Sequence, residues 1–381
     1  VAGVNAGNSI ASGGNYNVAV GDEAGTAINT GDENTVVGYK AGEAVTTGVR
    51  NTLIGATAGD EIVGGERNTA VGYGALHSET EGDRNTAVGV FALSTQNTST
   101  GGNVYNTGIG YGAGNAITTG VRNVIVGAQA LDAETQGSRS VAVGYATLSA
   151  QNFTTATDVY NTAVGHAAGL SVTTGTLNTL IGGLAGDALT TGFNNVAVGT
   201  SALSAEDTGR YNVAIGKGAL AVQNSDADNY NTAVGYEAGN SVTTGTKNNF
   251  IGGLSGDAIT EGSQNVALGT ETLSSDTLGS RSVAIGQGAL FAQNFTTATN
   301  TYNTAVGYEA GVSNTTGTYN TFVGSESGKS VTTGQYNTLM GGNVGDALTD
   351  PNYNTAFGAF ALTTDTRGAK SVAIGGDALA N

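Results

Sequence analysis

The side chains that could do chemistry are few, and they recur at one spacing. Glu79, Glu134, Glu206 and Asp276 are each followed seventeen residues later by a glutamine: Gln96, Gln151, Gln223 and Gln293. Glycosidic hydrolysis needs two carboxylates flanking one bond, and here each acid is single. In a chain that stacks on itself, the pairing instead predicts a hydrogen bond from each Gln amide to the carboxylate one coil away. The two histidines, His77 and His166, fall at different points of the repeat, and there is no cysteine. The ligands for a zinc site and the thiols for a disulfide or a nucleophile are therefore missing. Asp226-Ala227-Asp228 lacks the Gly-Gly-x-Gly-x-Asp setting of a calcium-binding repeat. No phosphate-cradling glycine loop, nucleophile elbow or tryptophan platform occurs. We expect no catalytic residue, no metal and no cofactor.

Two more columns invite a functional reading. Arg50, Arg67 and Arg84 occupy one phase, where Glu66 and Asp83 can interleave with them. A partly compensated surface ladder accounts for them more simply than an anion site does. Thr-Thr-Gly recurs at Thr46, Thr118, Thr173, Thr243, Thr315 and Thr332. An ice-binding face would want Thr on alternate residues of a flat strand, whereas these are adjacent and lead into a turn. Ice binding is therefore a minor alternative.

All these residues are placed by one repeated element, Asn161-Thr162-Ala163-Val164-Gly165. Its glycine recurs from Gly21 to Gly375, nearly always seventeen residues apart, the mark of a solenoid in which each repeat is one coil. Asn, replaced by Ser only at Ser140, Ser282 and Ser371, opens a short strand of β-branched residues. In every seventeen-residue coil another Gly, or Pro351 once, stands ten residues after the repeat glycine, as a tight turn demands. The expected fold is all-β: one continuous parallel β-solenoid over 1–381, of about 21 short coils.

Asn34, Asn51, Asn68, Asn85, Asn161, Asn178 and Asn195 are expected to stack about 4.8 Å apart as a structural amide ladder that also pins the register. Side chains alternate along a strand. Thr162 and Val164 therefore share one face, assigned to the coil interior. Ala163 and Gly165 share the other, assigned to a neighbouring chain, together with Leu53, Leu180, Phe250, Phe322 and Leu339 at equivalent positions. Coils with Gly four residues after the repeat glycine (Gly42, Gly169) carry an aliphatic residue three later (Val45, Val172). Coils with Leu there (Leu76, Leu203) carry a polar one (Glu79, Glu206). One core slot is filled from either of two positions, which keeps packed volume constant.

After each internal pair of Leu coils the connection lengthens, through Tyr105, Tyr160, Tyr230 and Tyr302. Insertions of this kind map to one face of a solenoid and are where binding is to be sought. Phe153, Tyr160, Phe295 and Tyr302 are the candidate contacts, with both phenylalanines expected to be exposed.

A formal charge of −17 opposes binding to nucleic acid or anionic lipid. No apolar run of membrane-spanning length occurs. Val1-Ala2-Gly3 reads as the tail of an earlier coil and Asn381 as a stop in mid-coil, as expected for an excerpt of a longer repeat protein.

Ser140-Val141-Ala142-Val143-Gly144, Ser282-Val283-Ala284-Ile285-Gly286 and Ser371-Val372-Ala373-Ile374-Gly375 resemble the head repeats of YadA-like trimeric autotransporter adhesins. The Asn-Thr-Ala-Val-Gly-Tyr form is similar to repeats of phage tail fibres and large bacterial surface proteins. The resemblance implies a left-handed β-roll assembled as a parallel homotrimer with the Ala/Gly face near the axis, although the adhesin coils are shorter. On this basis we expect a non-enzymatic structural rod of an extracellular adhesin or phage fibre, at the cell surface or on a virion. Its partners would be copies of itself and a cell-surface or glycan receptor. A self-polymerising extracellular filament is the alternative.

Overall fold

A computed structural model describes residues 3–380, so the expectations for Val1, Ala2 and Asn381 lie outside the described residues. The chain forms two compact units, Val1–Phe193 and Asn194–Asn381. Each is an all-β parallel solenoid, and no helix occurs among the described residues. The first unit carries ten three-residue strands from Val18–Val20 to Thr179–Ile181, and the second carries eleven from Val196–Val198 to Val372–Ile374. Successive strands pair in parallel one coil apart, for example Thr52↔Thr69, Leu53↔Ala70 and Ile54↔Val71.

Three corners turn each coil, all in the left-handed region: the residue before Asn (Arg50, φ 62°), the second after the repeat glycine (Lys40, φ 57°) and the fourth (Gly42, φ 56°, or Leu76, φ 52°). Such a conformation costs an ordinary residue about 1–2 kcal/mol. Hydrogen bonds to the adjacent coil offset it: Arg50 N–H donates to Asp32 at 2.9 Å, Lys40 N–H to Asp22 at 2.9 Å and Leu76 N–H to Ala92 at 3.0 Å. The repeat glycine has no such latitude. At Gly55 φ is +133°, and a Cβ would stand 2.4 Å from the carbonyl oxygen of Gly72.

The faces are the reverse of the sequence-based assignment. Ala163, Leu180, Phe250 and Phe322, at the strand centres, are fully buried inside their own coil. The flanking Thr and Val or Ile point outward. Ala163 is therefore not available to a second chain, while Gly165 is half-buried and stands where a Cβ would meet the Gly182 carbonyl at 2.4 Å. Alternation along the strand is as expected, but alternation alone does not say which face is inside. Tolerance of polar atoms does: the centre holds only carbon side chains or Gly108, while the flanking column admits Thr in more than half of the coils and Asn249 once.

Compensation within the core runs across neighbouring coils as well as within one. Phe250 fills the space left by two glycines: a Cβ on Gly239 would lie 2.8 Å from its ring, and one on Gly256 2.5 Å. Phe322 stands in the same way between Gly311 and Gly328. In Leu coils the Leu occupies that space, and the strand centres beside it shrink to Ala70, Ala87 or Gly108. Core volume is therefore shared between adjacent coils at close packing.

Candidate functional site

Most of the Asn side chains clamp the turn of the following coil; Asn212, whose Oδ1 is buried without a partner, is an exception. Asn34 Oδ1 accepts the Asn51 backbone N–H at 2.9 Å, and Asn34 Nδ2 donates to the Gly48 carbonyl at 2.8 Å. Asn51 does the same to Asn68 and Gly65, at 2.9 and 2.8 Å. Direct amide-to-amide bonds are secondary: Asn51 and Asn85 donate to the Oδ1 of Asn34 and Asn68 at 3.1 Å. Asn161, Asn178 and Asn195 reach Gly175, Gly192 and Gly209 at 2.8, 2.9 and 2.9 Å. The side-chain amide thus acts as an extra peptide group, offering donor and acceptor together where the corner backbone needs both.

Beneath the four longer connections lies a buried polar network. Glu134 Oε1 accepts the N–H groups of Thr135, Gln136 and Gly137 at 2.9, 3.1 and 2.7 Å, and that of Phe153 from the next coil at 3.0 Å. Its Oε2 accepts Gln151 Nε2 at 2.8 Å, the bond expected from the acid–Gln spacing. The Gln151 carbonyl in turn accepts Asn161 Nδ2 at 2.8 Å, a link that sequence reasoning missed. The same chain of bonds joins Glu79, Gln96 and Asn106, then Glu206, Gln223 and Asn231, then Asp276, Gln293 and Asn303. A buried carboxylate without a cation is tolerable when backbone N–H groups converge on it. Where Ser replaces Asn, the hydroxyl joins in: Gln151 Nε2 reaches Ser140 Oγ at 3.1 Å and Gln293 Nε2 reaches Ser282 Oγ at 2.8 Å.

The loop aromatics divide. Phe153 and Phe295 are only 8% and 7% exposed, against the expectation that they face solvent. Their backbones hold them down. Phe153 N–H goes to Glu134 and its carbonyl accepts Gln136 N–H at 2.9 Å; Phe295 N–H goes to Asp276 at 3.0 Å and its carbonyl accepts Leu278 N–H at 3.0 Å. The connections then fold onto the coil as two-residue strands, Thr157–Asp158 against Gly137–Ser138 and Thr299–Asn300 against Gly279–Ser280. Tyr160 and Tyr302 are exposed, each beneath a guanidinium, Arg139 at 5.5 Å and Arg281 at 5.4 Å.

The other columns are occupied internally. Thr118, Thr173, Thr243 and Thr315 donate their hydroxyls to the carbonyls of Thr135, Thr190, Thr260 and Thr332 at 3.0–3.2 Å. Arg50 pairs with Glu33 and Arg67 with Glu66, both at 2.7 Å, while Arg84 stacks on Tyr105. Asp83 instead accepts the Glu66 backbone N–H at 2.8 Å. His77 contacts Asp60, and His166 stacks on Tyr145. Among the described residues no three His, Asp or Glu side chains gather as a metal would require.

Burial pushes the carboxyls of Glu206 and Asp276 above the ordinary range, outweighing the bonds from Gln223 and Gly209 and from Phe295 and Gln293. Burial likewise raises Asp60, Asp132, Asp187 and Asp257, and Asp187 and Asp257 each keep one buried oxygen without a partner. A carboxyl whose folded pKa lies above its unfolded value contributes stability that is fully present below the unfolded value, about 4. That contribution is lost as pH rises through the folded value. Asp350 moves the other way, lowered by the hydroxyls of Thr333 and Thr332, and it is exposed. Thermal unfolding followed by circular dichroism should therefore shift to higher temperature as pH falls from 7 toward the unfolded value of about 4, and a net fall over that window would contradict this account. No protein-family model matches the chain, and neither curated proteins nor solved structures give a significant match.

Proposed function

We propose that this chain is a non-enzymatic structural element that assembles with copies of itself, as a trimer, into the shaft or head of an extracellular adhesin or a phage fibre. The observation that carries this reading is the outward face of the strands. In each unit it is a ladder mainly of Thr or Val beside an unbroken apolar column, with Val20, Ile54, Ile181, Ile215, Ile251 and Ile374 all exposed. A contiguous apolar ribbon over successive coils exceeds the few hundred Å² that a soluble monomer ordinarily leaves uncovered. A parallel copy offers the same alternation of methyl and hydroxyl groups at the same spacing, so an isologous or cyclic packing can cover it. Adhesin and fibre come from the sequence resemblance, and a surface or glycan receptor would meet the connections around Tyr160 and Tyr302.

Sedimentation of the purified chain should give a mass near three times 37.5 kDa. Ile54→Lys with Ile181→Lys places two charges on the ribbon and should return a monomer whose circular dichroism is unchanged. A stable monomer before substitution would sink the self-assembly.

A further inference from the structure

One surface column goes beyond this reading. Tyr302, Tyr319, Tyr336 and Tyr353 occupy the corner before Asn in four successive coils and are all exposed. Their rings stack with centroids 5.0, 4.8 and 5.0 Å apart and interplanar angles of 25°, 10° and 2°. The register is imposed by the backbone: Tyr319, Tyr336 and Tyr353 N–H groups donate to the carbonyls of Thr301, Thr318 and Gln335 at 2.8, 3.1 and 3.0 Å. Neighbouring rings lie within 25° of parallel, and the Tyr302 hydroxyl also accepts a bond from Arg281 Nη1. In the first unit the same phase carries Arg50, Arg67, Arg84, Arg122 and Arg139, so Tyr105 and Tyr160 have a guanidinium and no second phenol beside them, whereas Tyr302 has Arg281 on one side and Tyr319 on the other.

We propose that this column is a site of oxidative tyrosine–tyrosine coupling, tying successive coils covalently in a chain that has no cysteine. The oxidant is hydrogen peroxide acting through a haem peroxidase. Each of two neighbouring phenols loses one electron and one proton to give a phenoxyl radical. The radicals join through ring carbons ortho to the hydroxyls, forming one C–C bond. Those two carbons then release their protons as the phenolic oxygens regain theirs, restoring both rings. The two electrons and two protons reduce one peroxide to two waters, so the protein loses two hydrogen atoms per link. Stacking at van der Waals distance supplies the encounter that two free phenoxyl radicals must find by diffusion. A link across seventeen residues also restricts the unfolded chain, as a disulfide does.

The test treats the full chain with horseradish-type haem peroxidase and hydrogen peroxide, then maps the peptides. The expected result is dityrosine fluorescence and the loss of two hydrogen atoms per link within single chains, joining Tyr302–Tyr319, Tyr319–Tyr336 or Tyr336–Tyr353, and likewise Tyr211–Tyr230, stacked at 5.0 Å. The linked chain should unfold at a higher temperature. Tyr336→Phe keeps the stack but should abolish both links to position 336 and spare Tyr302–Tyr319. In denaturant the selectivity for the column should vanish. No coupling in the folded chain, coupling only between molecules, or equal coupling at Tyr105 and Tyr160 would each overturn the proposal.

Discussion

Glu134→Ala should melt the coils around residues 127–165. The substitution leaves the N–H groups of Thr135, Gly137 and Phe153 without their acceptor and takes one of two acceptors from the Gln151 amide, while Gln136 N–H keeps the Phe153 carbonyl. Each orphaned buried donor costs about 1–3 kcal/mol, less whatever water recovers, so a loss on the order of 5 kcal/mol is expected. In a solenoid each coil depends mainly on its neighbours, so the loss is local. Hydrogen exchange is therefore the right measurement, and protection should collapse at Gly137 and Phe153 while coils such as 35–54 keep theirs. Glu134→Gln should cost less, since one oxygen still accepts the backbone donors and only the contact with the Gln151 amide becomes donor against donor. Unchanged exchange in Glu134→Ala would mean that the network does not hold the connection.

Asn51→Ala has the second largest expected effect. It strands the Asn68 N–H and the Gly65 carbonyl, both buried within the corner, at a cost of roughly 2–4 kcal/mol. Asn51→Ser should recover little of this, although Ser stands at the equivalent Ser140 and Ser282. A serine hydroxyl is too short to reach both the N–H and the carbonyl. At Ser140 and Ser282 the following coil is one of the longer ones, and Gln151 or Gln293 takes over by bonding both the hydroxyl and the next Asn. The next coil after Asn51 has no such glutamine. Urea unfolding that ranks Asn51→Ser close to wild type would contradict the clamp.

Much of this fold was legible because a solenoid writes its structure in phase. A column that is Asn at nearly every coil must make one bond repeatedly, and an acid followed one coil later by Gln can be read as a pair without knowing the coil's shape. The exchange between Gly42 with Val45 and Leu76 with Glu79 was visible for the same reason, since packed volume is a local sum.

What the sequence left open involved direction. Period-2 alternation separates Thr162 and Val164 from Ala163 but does not point either set inward. The interior is too narrow for two rows from one strand, so the centre, which can be Ala163, Leu180 or Phe250, takes it. Phe153 and Phe295 looked like loop-tip aromatics, yet their own N–H groups are drawn to Glu134 and Asp276 on the preceding coil. The Tyr302–Tyr353 column could be counted by phase, but only the left-handed corner and the inter-coil hydrogen bonds turn its rings face to face. The sequence by itself determined the repeat, the strand, the Asn column and the acid–Gln pairs, because these are set by spacing along one chain. Which face is inside, which aromatics are covered and which rings touch was decided only by the tertiary structure, because these depend on how far each side chain reaches across to the next coil.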